Sequence, residues 1–219
     1  KSLVDKNIFE EYYIAQDRVT FDKGENSHFA LSEAQQKAFD SIEDNFKPFD
    51  VSLLHGVTAS GKTEIYIKLL EQYVQQGKQV LFLLPEIALT TQLVQRLTAY
   101  FGNEVAVFHS KYSNNERIEV WNQVLENSPK AKVVIGVRSA MFLPFSNLGC
   151  IIVDEEHEQT YKQHDPAPRY HARDAAIVLA KQHNAKVLLG SATPSLETYY
   201  NVQTKKYGLT DLKVRYGNV

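Results

Sequence analysis

The chain has 219 residues, of which 43% are hydrophobic and 23% charged, a composition typical of a soluble domain with a substantial core. The net charge of −2 excludes a global basic field, so any contact with DNA must come from a local patch. The one cysteine, Cys150, excludes an internal disulfide and favours a cytoplasmic location. No uncharged apolar run approaches the roughly 18 residues of a membrane helix, so we expect no membrane partner.

The first 28 residues differ in character from the remainder. The pattern predicts a short helix over residues 3–13, followed by a polar link over residues 22–28. Two interpretations remain open, a docked N-terminal helix or the tail of a preceding domain. We expect the second, because the polar link isolates this piece.

From residue 29 onward, helical and strand patterns alternate. Several strands are continuous apolar runs, which is typical of strands buried on both faces. We therefore predict an α/β fold with a mainly parallel sheet and helices on both faces, over residues 29–204. Residues 205–219 are interpreted as a link toward a second domain. The predicted helices are 32–45 (with Ser32 as N-cap), 62–76, 88–101, 114–127 and 172–183, and the predicted strands are 51–55, 79–84, 105–108, 132–136, 150–153 and 186–190.

A glycine-rich loop joins the first strand to the second helix. Residues 56–63 match the pattern G-x-x-x-x-G-K-[ST] at every fixed position. In this setting, backbone N–H groups and the helix N-terminus bind phosphate, Lys62 neutralises the β- and γ-phosphates, and Thr63 binds Mg²⁺. The predicted nucleotide contacts of the loop and the helix start are Gly56, Thr58, Ser60, Gly61, Lys62, Thr63 and Glu64.

Two acids end the apolar strand at residues 150–153. Carboxylates at this edge of an open α/β sheet lie where ligands bind. We expect Asp154 to hold Mg²⁺ through water and Glu155 to orient and deprotonate the attacking water. An acid pair after a buried strand is a weak signal by itself, but together with Lys62 it predicts an ATP- and Mg²⁺-dependent hydrolytic site. The second acid argues against a small-molecule kinase, which excludes water.

Several short motifs then resemble those of a known enzyme group. The stretches 154–157 (Asp-Glu-Glu-His) and 190–193 (Gly-Ser-Ala-Thr) resemble motifs II and III of superfamily 2 helicases, and 31–35 resembles their Q-motif region. The stretches 84–90, 136–140, 169–174 and 190–197 are similar, more narrowly, to those of bacterial primosomal replication-restart helicases. Ala59 departs from the glycine we would expect in many relatives.

The resemblance implies a role for further residues. Gln35 would contact adenine, and His157 would sense the γ-phosphate and relay it to Ser191 and Thr193. Motifs following two strands would contact DNA, through Pro85, Glu86, Thr90, Arg138 and Ser139. For Glu86 a favourable acid at a helix start is an equally good interpretation, and for Arg138 a surface ion pair is the alternative.

The segment between motifs II and III combines cations, tyrosines and prolines. The prolines predict a loop, and basic and aromatic side chains suit single-stranded DNA. The family has an aromatic-rich loop here that couples DNA to hydrolysis. The expected DNA contacts are Tyr161, Lys162, Arg169, Tyr170 and Arg173. Metal binding by the evenly spaced His157, His164 and His171 is set aside, because the segment offers no cysteine and the prolines break a helix.

The resemblance implies the first RecA-like motor domain of a 3′→5′ DNA helicase. Its partners would be forked or single-stranded DNA, other primosome proteins and single-stranded-DNA-binding protein. We expect the chain by itself to bind nucleotide and to hydrolyse it poorly. Two alternatives stay open, a branch-migration or restriction translocase, and a nucleotide-switched binding module that does not hydrolyse.

Overall fold

The computed structural model describes residues 30–86, 91–109 and 112–215. The predicted helix at residues 3–13, the polar link and Thr90 lie outside the described residues. The helices are α1 (Glu33–Asn45), α2 (Lys62–Gln75), α3 (Thr91–Phe101), α4 (Asn114–Leu125), α5 (Ala172–His183) and α6 (Leu196–Gln203). The strands are β1 (Val51–Gly56), β2 (Gln79–Leu83), β3 (Val105–Phe108), β4 (Val133–Gly136), β5 (Leu148–Asp154), β6 (Lys186–Ser191) and β7 (Gly208–Leu212).

The strands form one sheet of seven in the order β3-β4-β2-β5-β6-β1-β7. Each of the neighbouring pairs is parallel. Strands β2, β3 and β4 are buried along their whole length, as continuous apolar runs predict. The predicted α/β class with a parallel sheet is confirmed.

Helices cover both faces of the sheet and bury two apolar clusters. On one face, Leu70 and Leu97 pack with Phe82 and Ile152. On the other face, alternate residues of the same strands, such as Leu81 and Ile151, pack against α4 and α5. Because side chains alternate between faces along a strand, one run of apolar residues supplies both clusters.

Local signals set the helix ends. The Ser32 hydroxyl accepts a hydrogen bond from the Gln35 backbone N–H, and the Gln35 side chain accepts one from the Ser32 N–H, so α1 begins with the predicted cap. Gly77 follows α2 with a φ of 75°, a left-handed conformation that favours glycine. These caps place the ends of α1 and α2 within one residue of the predicted ends.

The strand β7 corrects the predicted link at residues 205–219. Residues 208–212 pair in parallel with β1 and therefore belong to the sheet. Edge strands need only one row of apolar residues, and here Gly208, Thr210 and Leu212 are buried while Asp211 is exposed. This short alternating pattern contains no continuous apolar run, so the sequence analysis did not predict β7. It did not predict α6 either.

A search of the described helices for a membrane span finds none of sufficient length and apolar character.

The position of β7 makes a testable prediction. Leu212 is 2% exposed in the cluster beneath α1, so Leu212→Ala should lower the free energy of unfolding by about 2–5 kcal/mol. Lys213→Ala, on the exposed next residue, should change it by less than about 0.5 kcal/mol. Urea titration followed by circular dichroism measures both. If the two variants unfold alike, this segment does not pack as an edge strand.

Candidate active site

The ends of β1, β6 and β5 bring the predicted site residues together. Gly190 of β6 lies opposite Leu54 of β1 on one side and opposite Asp154 of β5 on the other. The phosphate loop follows β1 and the acids follow β5, so they face each other across the single strand β6. Parallel sheets place ligand sites at this carboxyl edge.

The phosphate loop has the geometry that an anion site needs. Gly61 has a φ of 82° and stands at the start of α2, which points backbone N–H groups into the loop. A Cβ on Gly56 would lie 3.0 Å from Ser60 Oγ and 3.1 Å from Lys62 Cγ, so glycine lets the loop close. Ala59 also has a left-handed φ, of 60°, where a glycine would be less strained.

The Lys62 ammonium and the Ser60 hydroxyl lie on the inside of the loop. Lys62 Nζ donates to the Gly56 carbonyl at 3.1 Å and lies 3.6 Å from Glu155 Oε1. Ser60 Oγ is buried and finds no hydrogen-bond partner within the described residues. A phosphate oxygen would satisfy that hydroxyl and would compete for the Lys62 ammonium. The residues present therefore fit a nucleotide phosphate.

The remaining predicted nucleotide contacts lie around the same loop. Gln35 is 1% exposed, and its side-chain amide donates to the Gly61 carbonyl at 3.2 Å. It thereby holds the loop, while its adenine contact stays a prediction. Thr58 is exposed and Thr63 half-buried in the first turn of α2. Glu64 pairs with Arg96 of α3.

Asp154 is held by a buried tyrosine. Tyr66 of α2 is fully buried, and its hydroxyl donates to Asp154 Oδ1 at 2.8 Å. A Cβ at Gly190 would overlap the Tyr66 hydroxyl, so only glycine lets the two meet. Burial raises the pKa of Asp154 to about 6, against the Tyr66 hydrogen bond that lowers it, and nearby Glu155 raises it further.

A raised pKa shows that the site disfavours an uncompensated negative charge on Asp154. Carboxylate and hydroxyl oxygens are the ligands that Mg²⁺ prefers. A cation near Asp154 and Thr63 would restore the balance, so this donor set fits Mg²⁺.

Glu155 and His157 form the next layer. Glu155 has a φ of 45°, which turns its carboxylate toward Lys62. The His157 ring lies 3.7 Å from Glu155 through Nδ1. The same Nδ1 lies 2.8 Å from Ser191 Oγ, and Nε2 lies 3.3 Å from Thr193 Oγ1. The residues predicted to relay a signal from motif II to motif III are therefore in contact, while the relay itself stays a prediction.

Two of the predicted DNA contacts are corrected by their burial. Tyr161 is 1% exposed, and its hydroxyl donates to the carbonyls of Leu83 and Asp154. Its ring cannot stack on a base, and it holds the strand end that carries Asp154. Arg173 is 7% exposed and pairs with the fully buried Glu156 at 2.9 Å. It is unavailable to a phosphate because its charge is already neutralised inside the protein.

Other predicted DNA contacts lie at or near the surface. Arg169 is exposed, and the rings of Tyr170 and the exposed Phe142 pack in a T-shaped pair with their centroids 4.8 Å apart. Arg138 donates to the carbonyls of Thr160 and Lys162, rather than forming the surface ion pair considered above. Lys162 Nζ donates to the Arg169 carbonyl at 2.8 Å.

The DNA motifs that follow β2 and β4 are only partly described. Pro85 is buried and Glu86 is exposed at the end of β2. Ser139 lines an apolar groove of about 480 Å³ beside α4, together with Trp121 and Phe142. Within the described residues, no group of three or more histidine, cysteine, aspartate or glutamate side chains is arranged to hold a metal.

Two buried residues beside the site were not predicted from the sequence. Tyr66 looked like one more apolar position of α2, and nothing near it in the sequence points to Asp154. Glu156 looked like a spare acid of motif II, yet it is 0% exposed and accepts hydrogen bonds from three different side chains. The sequence did contain a signal for Glu156, because an acid that follows a buried strand so closely needs an ion-pair or hydrogen-bond partner if it is buried.

Comparison with known proteins agrees with this arrangement. Residues 32–202 match the DEAD/DEAH box helicase family. The chain belongs to this family. The match contains the phosphate loop, both acids and the Ser191–Thr193 segment, which are the parts that meet at the sheet edge.

Individual relatives show which proteins this chain resembles in sequence. This helicase-family chain is 43% identical to "Replication restart protein PriA" of Bacillus subtilis (strain 168) over 98% of its length, covering 27% of that protein. It is 54% identical to the protein of the same name from Haemophilus influenzae over 78% of its length, covering 23% of that protein. The chain thus spans about a quarter of the length of these curated relatives.

Solved structures share the fold at low identity. RecG bound to a three-way DNA junction matches with a TM-score of 0.60 and 22% identity, over 84% of this chain and 24% of that one. The DUF1998 helicase MrfA bound to DNA has a TM-score of 0.60 and 17% identity, over 84% and 26% of the two chains. At this identity the likenesses show a shared fold and no more.

The Tyr66–Asp154 contact predicts a Mg²⁺-dependent phenotype. Tyr66→Phe removes a hydrogen bond that orients the carboxylate, so the Mg²⁺ concentration for half-maximal binding of a fluorescent ATP analogue should rise roughly tenfold. Tyr73→Phe on the same helix is the control and should leave this concentration unchanged. An equal Mg²⁺ requirement in Tyr66→Phe would show that the hydroxyl does not position the metal ligand.

Proposed function

We propose that this chain is the ATP-binding motor domain of a DNA helicase. The observation that carries the proposal is the meeting of Lys62, Asp154 and Glu155 at one sheet edge, with Lys62 Nζ 3.6 Å from Glu155 Oε1. A loop that only bound nucleotide would not need a second acid beside the phosphate position. Membership of the DEAD/DEAH box helicase family supports the same conclusion.

The proposed chemistry divides among the residues of the chain. Lys62 leaves the Gly56 carbonyl to bind the β- and γ-phosphates of ATP. Glu155 orients a water for in-line attack on the γ-phosphate and accepts its proton. Asp154, aligned by Tyr66, and Thr63 would hold Mg²⁺, which when bound neutralises charge developing on the phosphates.

We propose that His157 reports the state of the γ-phosphate. It lies beside Glu155 and touches Ser191 through Nδ1 and Thr193 through Nε2. A change in the Glu155 carboxylate on hydrolysis would alter the charge facing the ring, and the two hydroxyls would follow the ring. We propose that this contact passes the hydrolytic state to the segment between β6 and α6.

The DNA-facing part of the proposal rests on the loop at residues 162–171. Exposed Arg169 and half-buried Tyr170 offer a cation and an aromatic ring for unpaired DNA. By similarity to the replication restart proteins, we propose 3′→5′ translocation on forked or single-stranded DNA during replication restart. Other primosome proteins and single-stranded-DNA-binding protein are the proposed partners.

For the 219-residue chain by itself we propose nucleotide binding with slow hydrolysis. The described residues form one RecA-like sheet, whereas related NTPases receive an arginine from a second domain or protein. Such an arginine contributes about 10³–10⁵ in rate. We also propose a cytoplasmic location.

Glu155→Gln in the full-length protein tests the motor assignment. The amide keeps the shape of the side chain but cannot accept the proton, so DNA-stimulated ATP hydrolysis should fall about 10²–10⁴-fold while ATP affinity stays within about threefold. A coupled phosphate-release assay and binding of a slowly hydrolysed analogue measure the two quantities. Glu158→Gln, three residues along, is the control and should retain hydrolysis.

The same hydrolysis assay, run also on the unsubstituted protein with different DNA substrates, separates the alternatives. A nucleotide-switched module that never hydrolyses ATP would show no phosphate release in the unsubstituted protein and no effect of Glu155→Gln. A branch-migration or restriction translocase would hydrolyse ATP on duplex or junction DNA, with no preference for a fork carrying a single-stranded arm.

A further inference from the structure

Glu156 is the most deeply buried charged residue of the stretch 154–157. Its side chain is 0% exposed. Oε2 accepts from Arg173 Nη1 at 2.9 Å, from Thr198 Oγ1 at 2.9 Å and from Ser195 Oγ at 3.1 Å. Oε1 accepts from the Ser195 backbone N–H at 2.7 Å. We call Glu156, Arg173, Ser195 and Thr198 the Glu156 cluster.

The cluster joins three segments that are far apart in the sequence. Glu156 belongs to the acid loop after β5. Arg173 lies in the first turn of α5, directly after the loop at residues 162–171. Ser195 is the N-cap of α6 and Thr198 lies in its first turn, after the Ser191–Thr193 segment. A single carboxylate therefore holds the hydrolytic acids, the proposed DNA loop and the segment that His157 touches.

The loop at residues 162–171 is tied together internally. Lys162 and His171 form an antiparallel bridge across its base. Gln163 Nε2 donates to the carbonyls of Pro166 and Pro168, and Lys162 Nζ donates to that of Arg169. A loop closed in this way transmits a displacement of its tip to its base, and Arg173 follows that base by two residues.

On the other side, Glu156 has little freedom to move separately from the hydrolytic residues. Its backbone N–H donates to the Gly190 carbonyl at 3.0 Å, which is the glycine that admits Tyr66 to Asp154. Glu155 and His157 are its direct neighbours in the chain. A shift of the Arg173 guanidinium would therefore displace the residues that handle water and sense phosphate.

A purely stabilising role does not explain the arrangement well. A buried ion pair contributes little net stability, because the desolvation of both charges offsets their attraction. Apolar residues would fill the same space between α5 and α6. A rigid, directional connection between three segments is what a charged cluster provides and an apolar contact does not.

We propose that Glu156 and Arg173 are positioning residues that transmit DNA contact at the loop to Glu155 and His157. This inference rests on the proposed function. It assigns Arg173 to coupling inside the protein rather than to DNA, and it gives the third residue of the acid motif a role apart from catalysis. The cluster does not touch nucleotide, so nucleotide affinity should not depend on it.

The test uses Glu156→Gln and Arg173→Met in the full-length protein, with ATP hydrolysis measured with and without single-stranded DNA. We expect DNA-stimulated hydrolysis to fall at least fivefold in each variant, while DNA-independent hydrolysis and affinity for an ATP analogue stay within about twofold. Because both variants remove the same connection, DNA-stimulated hydrolysis in the double variant should be no slower than in the more impaired of the two single variants. Thr198→Val removes one hydrogen bond with little change in shape, and should lower the stimulated rate at least twofold.

Leu148→Ala is the control for stability. Leu148 is buried at the opposite end of β5, so its truncation should lower the melting temperature without changing the ratio of stimulated to unstimulated hydrolysis. If the Glu156 and Arg173 variants lose both rates in the same proportion, or neither, the coupling role is wrong. If those variants do not fold, an unchanged ratio in Thr198→Val overturns it. If the unsubstituted protein shows no DNA-stimulated hydrolysis, the proposed function itself fails and the coupling role with it.

Discussion

The hydrogen bond from Tyr66 to Asp154, made possible by the bare backbone of Gly190, is the constraint on which the rest of the site depends. Gly190 lies in the middle strand of the three that end at the site, and it faces Leu54 on one side and Asp154 on the other. Any side chain there would separate α2 from the acids. Since α2 begins with Lys62, the same contact sets how close the phosphate loop comes to Glu155.

The electrostatic balance of the site follows from this packing. Asp154 is buried, which raises its pKa to about 6, and the Tyr66 hydroxyl offsets only part of that cost. Lys62 lies between the Gly56 carbonyl and Glu155, and the Ser60 hydroxyl finds no partner among the described residues. The site therefore favours a cation near Asp154 and an anion near Lys62 and Ser60, and a metal–nucleotide pair would supply both. The hydrogen bonds of the Glu156 cluster connect the acid-bearing loop after β5 to α5 and α6.

The sequence predicts most of what is local and little of what is tertiary. The phosphate loop, the acids and the Ser32 cap were predictable because each depends on a fixed spacing of a few residues. The parallel sheet followed from strands apolar on both faces. Tyr66 was not predictable, since its partner lies 88 residues further along the chain. Tyr161 and Arg173 were misjudged because an aromatic or basic residue in a loop has the same local pattern whether it faces solvent or the core.

We propose above all that the sheet edge binds nucleotide phosphate through Lys62. Calorimetric titration of Mg²⁺–ADP into the unsubstituted chain and into Lys62→Met tests it most directly, with Lys68→Met on the same helix as control. Charge-assisted hydrogen bonds contribute about 1.5–3 kcal/mol, so affinity should fall roughly ten- to hundredfold in Lys62→Met and stay unchanged in Lys68→Met. Equal affinity in all three proteins would contradict the account.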